Sequence, residues 1–303
     1  MKKTIATKKE AWLHAVRLRT LPLALASIFA GSIVAAYQGI FRWEIFILAS
    51  LTTIFLQVLS NLSNDYGDSV HGADSKDRSG PVRAVQSGVI SLTEMKKAMY
   101  LFGMLSFISG ISLVYIALND WLLFTIFLVL GLLAIWAAIS YTSGSNPYGY
   151  VGLGDISVFI FFGILGVVGT YFLHGLQFDW DVLLIGSSLG CFSTAVLNIN
   201  NIRDIESDEK AGKRSIPVRI GRKAAVRYNW SLILGGNLFL IGYAVLIQSP
   251  KPLFAFIALP LMILIGLGVQ KAKDAHSTDP FLKKMALSTL LWVILFGFGL
   301  LLF

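Results

Sequence analysis

The chain has 303 residues, of which 55% are hydrophobic and only 14% are charged, and its mean hydropathy is +0.71. A soluble globular protein has about 25% charged residues, so this composition excludes a water-soluble enzyme, a nucleic-acid-binding domain and a disordered chain. The net charge of +8 therefore indicates a membrane surface as the partner, with no nucleic acid.

Long apolar stretches follow one another along the chain. A membrane-spanning helix needs about 20 mostly apolar residues. Nine stretches meet this requirement, near residues 19–38, 43–63, 97–118, 121–141, 154–174, 180–198, 227–247, 252–270 and 284–303. We therefore predict an all-α, polytopic membrane protein in which nine transmembrane helices form a single domain over residues 1–303.

The basic residues indicate the orientation of these helices. With nine spans, every Lys and Arg except Arg42 and Lys251 falls on the same side as the N-terminus. Because cytoplasmic connections are enriched in Lys and Arg, we predict an integral protein of the cytoplasmic membrane. Its N-terminus and its long polar connections are expected on the cytoplasmic side, in contact with membrane lipid.

Two of the cytoplasmic connections are long, polar and similar to each other. They cover residues 61–88 and 198–223, and each begins with Asn at the end of an apolar stretch and continues with several Asp. Asn200, Asp204 and Asp208 are spaced at i, i+4 and i+8, which on a helix places them on one face. Asn64 and Asp68 repeat the i, i+4 step. Transporters instead place charged residues near the membrane midplane, so transport is a remote alternative.

The oxygen atoms of these side chains suit a magnesium ion. Mg²⁺ prefers carboxylate oxygens together with substrate phosphate oxygens, and carboxylates packed together need a cation. If the two connections face each other, they form a Mg²⁺ site. The candidate metal ligands are Asn64, Asp65, Asp68, Asp74, Asp204 and Asp208.

Basic residues follow both acidic segments and predict a diphosphate ligand. They are Arg78, Arg83, Lys213, Arg214 and Arg219. Arg and Lys alternating with metal-binding carboxylates hold phosphate groups and neutralise the charge that develops on a departing diphosphate. One such polar connection alone is more often only a solvated loop, whereas two matched ones indicate a site.

At these residues the sequence resembles the UbiA superfamily of intramembrane aromatic prenyltransferases. The matching motifs are Asn64-Asp65-Tyr66-Gly67-Asp68, continued by RAVQSG from Arg83, and Asn200-x₃-Asp204-x₃-Asp208, followed by GKRS from Gly212. The runs NDYGDSVHGAD, RSGPVRAVQSG and YTSGSNPYGYVGLGD resemble the branch that uses 1,4-dihydroxy-2-naphthoate. The superfamily's first motif has a further acid where this chain has Gly72, and Asp74 and Asp77 are the nearest replacements.

The resemblance implies a bundle around a central cavity, in which Mg²⁺ and the two motifs hold a polyprenyl diphosphate. It implies catalytic roles for Asp68, Asp204 and Asp208, and diphosphate binding by Asn64, Asn200, Arg78, Arg83 and Lys213. The implied reaction joins the prenyl group to the naphthoate with loss of carbon dioxide and diphosphate, giving demethylmenaquinol for menaquinone biosynthesis. No obligatory protein partner is implied.

The binding site of the aromatic acid acceptor is less clearly marked. Residues 141–155 contain no Lys or Arg but several Gly and Tyr, and Tyr141 and its neighbours could close over an aromatic ring. Arg19 could meet the acceptor's carboxylate, or could only anchor the first helix. A 4-hydroxybenzoate or homogentisate prenyltransferase of the same superfamily is the alternative, and retention of the carboxylate would identify 4-hydroxybenzoate as the acceptor.

Overall fold

The computed structural model describes residues 7–71 and 83–302. Within these ranges the regular structure is entirely helical. Nine helices of the described part are long and apolar enough to span a membrane, which confirms the predicted all-α membrane fold. They are α1 (Lys8–Tyr37), α2 (Trp43–Val70), α3 (Leu92–Ala117), α4 (Trp121–Ser140), α5 (Gly154–Gly175), α6 (Val182–Arg203), α7 (Ile216–Leu246), α8 (Lys251–Lys271) and α9 (Ala275–Leu302).

Several helices continue past the apolar stretch that predicted them. α2 extends to Val70 instead of residue 63. α7 begins at Ile216 instead of residue 227, with a kink at Gly221 (φ 76°, ψ 159°) that separates its first turns from the rest. Hydropathy marks only the part of a helix that lipid surrounds, whereas the backbone hydrogen bonds continue into polar sequence. As a result, Asn64, Asp65 and Asp68 lie on the last turns of α2.

The first helix is interrupted at Arg17. This residue adopts a left-handed backbone conformation (φ 51°, ψ 57°), which ends the segment Lys8–Val16 before a short 3₁₀ turn, Leu18–Thr20. A left-handed conformation costs a non-glycine residue about 1–2 kcal/mol. The interruption changes the chain direction before the membrane segment Leu21–Tyr37 begins.

The helices pack as two groups. The larger apolar core joins α1 and α5–α9 through fully buried side chains that include Leu189, Ile233 and Trp292. The smaller group joins α2–α4 with the start of α1. Close contact between α5 and α6 depends on glycine, because a Cβ on Gly163 would lie 2.5 Å from the Gly186 carbonyl oxygen. Small residues allow such close backbone approach between membrane helices.

The outer surface of the bundle is suited to lipid. α4 exposes Leu122, Val129, Leu133 and Trp136 along its length. An exposed apolar surface of this length is unfavourable in water and favourable in a bilayer. The protein is therefore an integral membrane protein.

Candidate active site

A cavity of about 780 Å³ lies between the two groups of helices. One part of its wall is apolar and includes Leu113, Val114, Phe127, Phe161 and Phe162. The other part is polar. It contains eight of the predicted site residues, namely Arg19, Asn64, Asp65, Asp68, Arg83, Tyr141, Asn200 and Lys213. The two motifs therefore contribute to one cavity.

Asp68 lies on the last turns of α2 and is almost fully buried. Its Oδ1 accepts a hydrogen bond of 2.8 Å from the hydroxyl of Tyr150. Its Oδ2 lies 2.6 Å from an Arg83 guanidinium nitrogen, Nη2. The carboxylate is thus oriented by one neutral donor and one cation.

Asp65 contacts two arginines. Its Oδ1 accepts from Arg17 Nη2 at 2.6 Å and from Arg83 Nη1 at 3.2 Å, and its Oδ2 accepts from the backbone N–H of Ala84 at 3.3 Å. Such charge-assisted bonds are stronger than neutral ones. Asp65 therefore fixes two cations at the cavity wall. It also holds residue 83, which follows the first motif in the sequence, against α2.

The second motif does not form one continuous helix, contrary to the expectation from its spacing. α6 ends at Arg203, Asp204 caps it (φ −98°, ψ 9°), and a separate short helix covers Ile205–Lys210. The interruption accompanies a bidentate ion pair between neighbouring residues, in which Arg203 Nε and Nη2 donate to Asp204 at 2.7 and 2.6 Å. Arg203 also donates to Asn200 Oδ1 at 2.9 Å and to Asp279 Oδ1 at 2.6 Å.

Asp208 pairs with Lys213 and is affected by the negative charges of both motifs. Burial raises its pKa, the Lys213 ammonium at 3.4 Å opposes that shift, and the negative charges of Asp204 and Asp68 raise the pKa further. Ser215 donates to its Oδ2 at 3.4 Å. Because Asp68 and Asp204 both act on Asp208, the acidic ends of the two motifs lie in one electrostatic environment. Asp204 and Asp208 are buried, and their ion-pair partners Arg203 and Lys213 line the cavity.

The connection between α4 and α5 joins the two motifs. Thr142 Oγ1 donates to Asn64 Oδ1 at 3.0 Å, and His71 Nε2 lies 2.9 Å from the Gly144 carbonyl oxygen. On its other side, the backbone N–H of Arg214 donates to the Tyr150 carbonyl oxygen at 2.8 Å. Tyr150 lies against the acids and cations, and Tyr141 lines the cavity. That this segment closes over an aromatic ring stays a prediction.

A neutral polar cluster lies deeper along the cavity wall. Gln57 and Asn61 are on the same face of α2 as Asp65 and Asp68, at i, i+4, i+8 and i+11. Gln57 Nε2 donates to Thr20 Oγ1 at 3.2 Å, and Asn61 Nδ2 donates to the same oxygen at 3.0 Å. At about 1.5 Å per residue, this cluster lies roughly one to two helical turns from Asp65.

The oxygen donors of the two motifs fit a magnesium ion. Within residues 7–71 and 83–302, no three Asp, Glu, His or Cys side chains are arranged to hold a metal by themselves. Arg83, Arg203 and Lys213 neutralise the acids instead. Mg²⁺ usually takes only one or two carboxylates and completes its shell with water and substrate phosphate oxygens. The donor chemistry therefore suits Mg²⁺ that arrives with a diphosphate.

Some predicted residues lie outside the part that the structure describes. They are Gly72, Asp74, Asp77 and Arg78. The sequence patterns did not mark Arg17 and Arg203 as site residues, and they included Tyr150 only in a segment that could close over an aromatic ring. Both arginines carried only the general signal of cytoplasmic basic residues. Tyr150 carried one signal that could have identified it, since it lies in a Gly-rich segment without Lys or Arg.

Comparisons with known proteins identify the family of the chain. The family model for UbiA prenyltransferases matches residues 24–290. A 1,4-dihydroxy-2-naphthoate octaprenyltransferase from Haemophilus influenzae is 44% identical over 304 residues, which cover 99% of this chain and 98% of the relative. The enzyme of the same name from Escherichia coli is 41% identical, with 97% and 96% coverage.

Solved structures share the fold. The apo structure of a UbiA homologue from Aeropyrum pernix matches with a TM-score of 0.69 at 17% identity, covering 94% of this chain and 98% of that one. A homologue from Archaeoglobus fulgidus bound to GPP and Mg²⁺ matches with a TM-score of 0.64 at 17% identity, covering 97% and 100%. With the family model and the long relatives, this confirms the resemblance drawn from the two motifs. The chain belongs to the UbiA prenyltransferase family.

Proposed function

We propose that this protein transfers a polyprenyl group from polyprenyl diphosphate to 1,4-dihydroxy-2-naphthoate, releasing carbon dioxide and diphosphate and forming demethylmenaquinol. Relatives of that activity are 44% and 41% identical over nearly the whole chain. The observation that carries the mechanism is that Asp68 from the first motif and Lys213 from the second line one cavity, and that Lys213 pairs with Asp208.

The polar end of the cavity is suited to the diphosphate. Arg83 and Lys213 supply positive charge from opposite motifs, and Arg17 adds a third cation held by Asp65. Preorganised cations stabilise the negative charge that develops on a leaving group, because they do not have to reorient during the reaction. These side chains thus favour departure of the diphosphate and formation of an allylic cation.

Magnesium is expected at the same end. We assign the candidate protein ligands to Asn64, Asp68, Asp204 and Asp208, of which one ion would take one or two carboxylates, while Asp65 orients the arginines. Bound Mg²⁺ would neutralise charge on the diphosphate oxygens. Its binding would require the carboxylates to exchange part of their contact with Arg83, Arg203 and Lys213.

The prenyl chain and the acceptor occupy the remainder of the cavity. The apolar wall suits the prenyl chain, since each methylene removed from water contributes about 0.8 kcal/mol. The acceptor must lie beside the first carbon of that chain, on the membrane side of the diphosphate. Thr20, Gln57 and Asn61 offer neutral hydrogen-bonding groups there, and Arg19 and Tyr141 complete the polar wall.

The chemistry on the acceptor needs no base at the reacting carbon. The carbon that bears the carboxylate attacks the allylic cation, and a carbon–carbon bond forms. The bond to the carboxylate then breaks, its electrons restore the aromatic ring, and carbon dioxide leaves. The cavity residues have only to orient the ring, exclude water and retain the cation.

The position of the charged residues supports the proposed topology. Both motifs and the cations around them lie at one end of the bundle, and this end carries the basic residues expected in the cytoplasm. We place the N-terminus and the active site on the cytoplasmic side of the inner membrane. The whole chain is assigned to one prenyltransferase domain.

A product assay tests the proposed function. Purified protein is incubated with Mg²⁺, a polyprenyl diphosphate and, in separate reactions, 1,4-dihydroxy-2-naphthoate, 4-hydroxybenzoate or homogentisate. We expect prenylation of the naphthoate only, with one carbon dioxide released per product and no product in EDTA. Prenylation of 4-hydroxybenzoate with its carboxylate retained, and none of the naphthoate, would contradict the assignment.

A further inference from the structure

Tyr150 is in contact with both acidic motifs through three different parts of the residue. Its hydroxyl donates to Asp68 Oδ1 of the first motif at 2.8 Å. Its ring lies 5.9 Å from Lys213 Nζ of the second motif, within the range of a cation–π contact. Its carbonyl oxygen accepts from the backbone N–H of Arg214 at 2.8 Å.

The backbone around Tyr150 is fixed on both sides. Arg219 Nη2 donates to the carbonyl oxygen of Val151 at 2.5 Å. Gly152 follows in a left-handed conformation (φ 81°), where a Cβ would lie 2.8 Å from the carbonyl oxygen of Arg214. The end of this loop is therefore held against the second motif, and the position of the Tyr150 ring follows from it.

The same loop is packed closely against the first motif. A Cβ on Gly67, one residue before Asp68, would lie 2.3 Å from the Thr142 carbonyl oxygen. Because the loop touches α2 here and the second motif at Tyr150, a displacement of either motif would move Tyr150 relative to Asp68.

Tyr150 acts as a hydrogen-bond donor in this arrangement. A tyrosine hydroxyl carries its proton at neutral pH, and a carboxylate oxygen can only accept, so Tyr150 is the donor in the 2.8 Å bond to Asp68. An ionised carboxylate oxygen accepts more than one hydrogen bond or ligand, so the hydrogen bond from Tyr150 is compatible with a further ligand on Asp68 Oδ1.

We propose that Tyr150 is a positioning residue that aligns Asp68 of the first motif with Lys213 of the second, so that both address the same diphosphate. This proposal deepens the proposed function and rests on it. In this proposal Tyr150 acts through Asp68 and does not contact the reacting atoms. Its removal should weaken binding of the Mg²⁺–diphosphate complex and leave the acceptor's KM unchanged.

The test uses Tyr150→Phe, which removes the hydroxyl and retains the ring and the backbone bond. Calorimetry measures binding of farnesyl thiodiphosphate, an analogue that resists cleavage, in the presence of Mg²⁺. Loss of one hydrogen bond to a charged group predicts a Kd increase of about tenfold or more. The Mg²⁺ concentration for half-maximal binding should rise as well. Tyr171→Phe is the matched control, because its hydroxyl also bonds to a carboxylate, that of Asp179, and the residue is outside the cavity lining.

A double variant separates positioning from a general effect on folding. If Tyr150 acts through Asp68, adding Tyr150→Phe to Asp68→Ala, which leaves no acceptor for the hydroxyl, should change the analogue's Kd by less than about twofold. Full additivity, or a Tyr150→Phe variant with wild-type Kd and Mg²⁺ dependence, would overturn the proposal. Binding needs no acceptor, so these results are independent of whether the wild-type protein prenylates the naphthoate.

Discussion

Asp68→Asn is expected to lower kcat by about 10²–10³-fold, the range found when one preorganised charge-stabilising group is removed. Asparagine has the same shape and still accepts the Tyr150 hydrogen bond at its amide oxygen, but it removes the negative charge next to Arg83. A neutral amide is also a poorer ligand for Mg²⁺. The measurement is single-turnover prenylation at saturating Mg²⁺ and diphosphate.

The control for this variant is Asp120→Asn. Asp120 caps α4 by accepting from the N–H of Leu123 at 2.8 Å, and asparagine serves equally well at this position. Its turnover should stay near that of the wild type. Retention of more than a third of wild-type kcat by Asp68→Asn, in protein that unfolds at the wild-type temperature, would remove Asp68 from the diphosphate site.

Arg203→Met is expected to produce the largest loss of stability. The Arg203 and Asp204 side chains are only 3% and 5% exposed, and they form a bidentate pair. Removing one partner of a buried pair leaves the other charge uncompensated, which costs about 3–5 kcal/mol. The free energy of unfolding in mixed micelles should fall by this amount.

Two further variants identify the cause of that loss. Asp279→Asn weakens the contact between Asp279 and the Arg203 guanidinium. Because the Asp279 side chain is 35% exposed, the free energy of unfolding should fall by at most about 1 kcal/mol. Adding Asp204→Asn to Arg203→Met removes the buried negative charge of Asp204, so most of the free energy of unfolding should be restored. If the double variant is as unstable as Arg203→Met alone, the buried carboxylate is not the source of the loss.

The membrane helices could be predicted because each contains enough consecutive apolar residues to cross a bilayer. The polar continuation of α2 to Val70 could not, since hydropathy gives no signal where a helix leaves the membrane. The interruption at Asp204 also escaped the pattern. The interruption accompanies the ion pair between Arg203 and Asp204. The Arg203 guanidinium also donates to Asp279 of α9, which is distant in the sequence.

The acids and cations of the candidate site could be predicted because their spacing is repeated in two connections. The pairs that they form could not be predicted, because several of those pairs cross between elements. Arg17 reaches Asp65 from a left-handed residue between two helical segments, and no composition pattern marks such a conformation. Tyr150 contacts both motifs through its hydroxyl, its ring and its carbonyl group. These contacts depend on how the loop folds, which its residue types alone do not predict.

The central claim is that two motifs bind one diphosphate through shared magnesium. Its most direct test is calorimetric titration of farnesyl thiodiphosphate into the wild-type protein, Asp68→Asn and Asp208→Asn, with Mg²⁺ and with EDTA. The account predicts one equivalent per chain, no binding in EDTA, and a Kd increase of about tenfold or more for each variant. Two equivalents per chain, or binding that one of the two substitutions leaves unchanged, would contradict it.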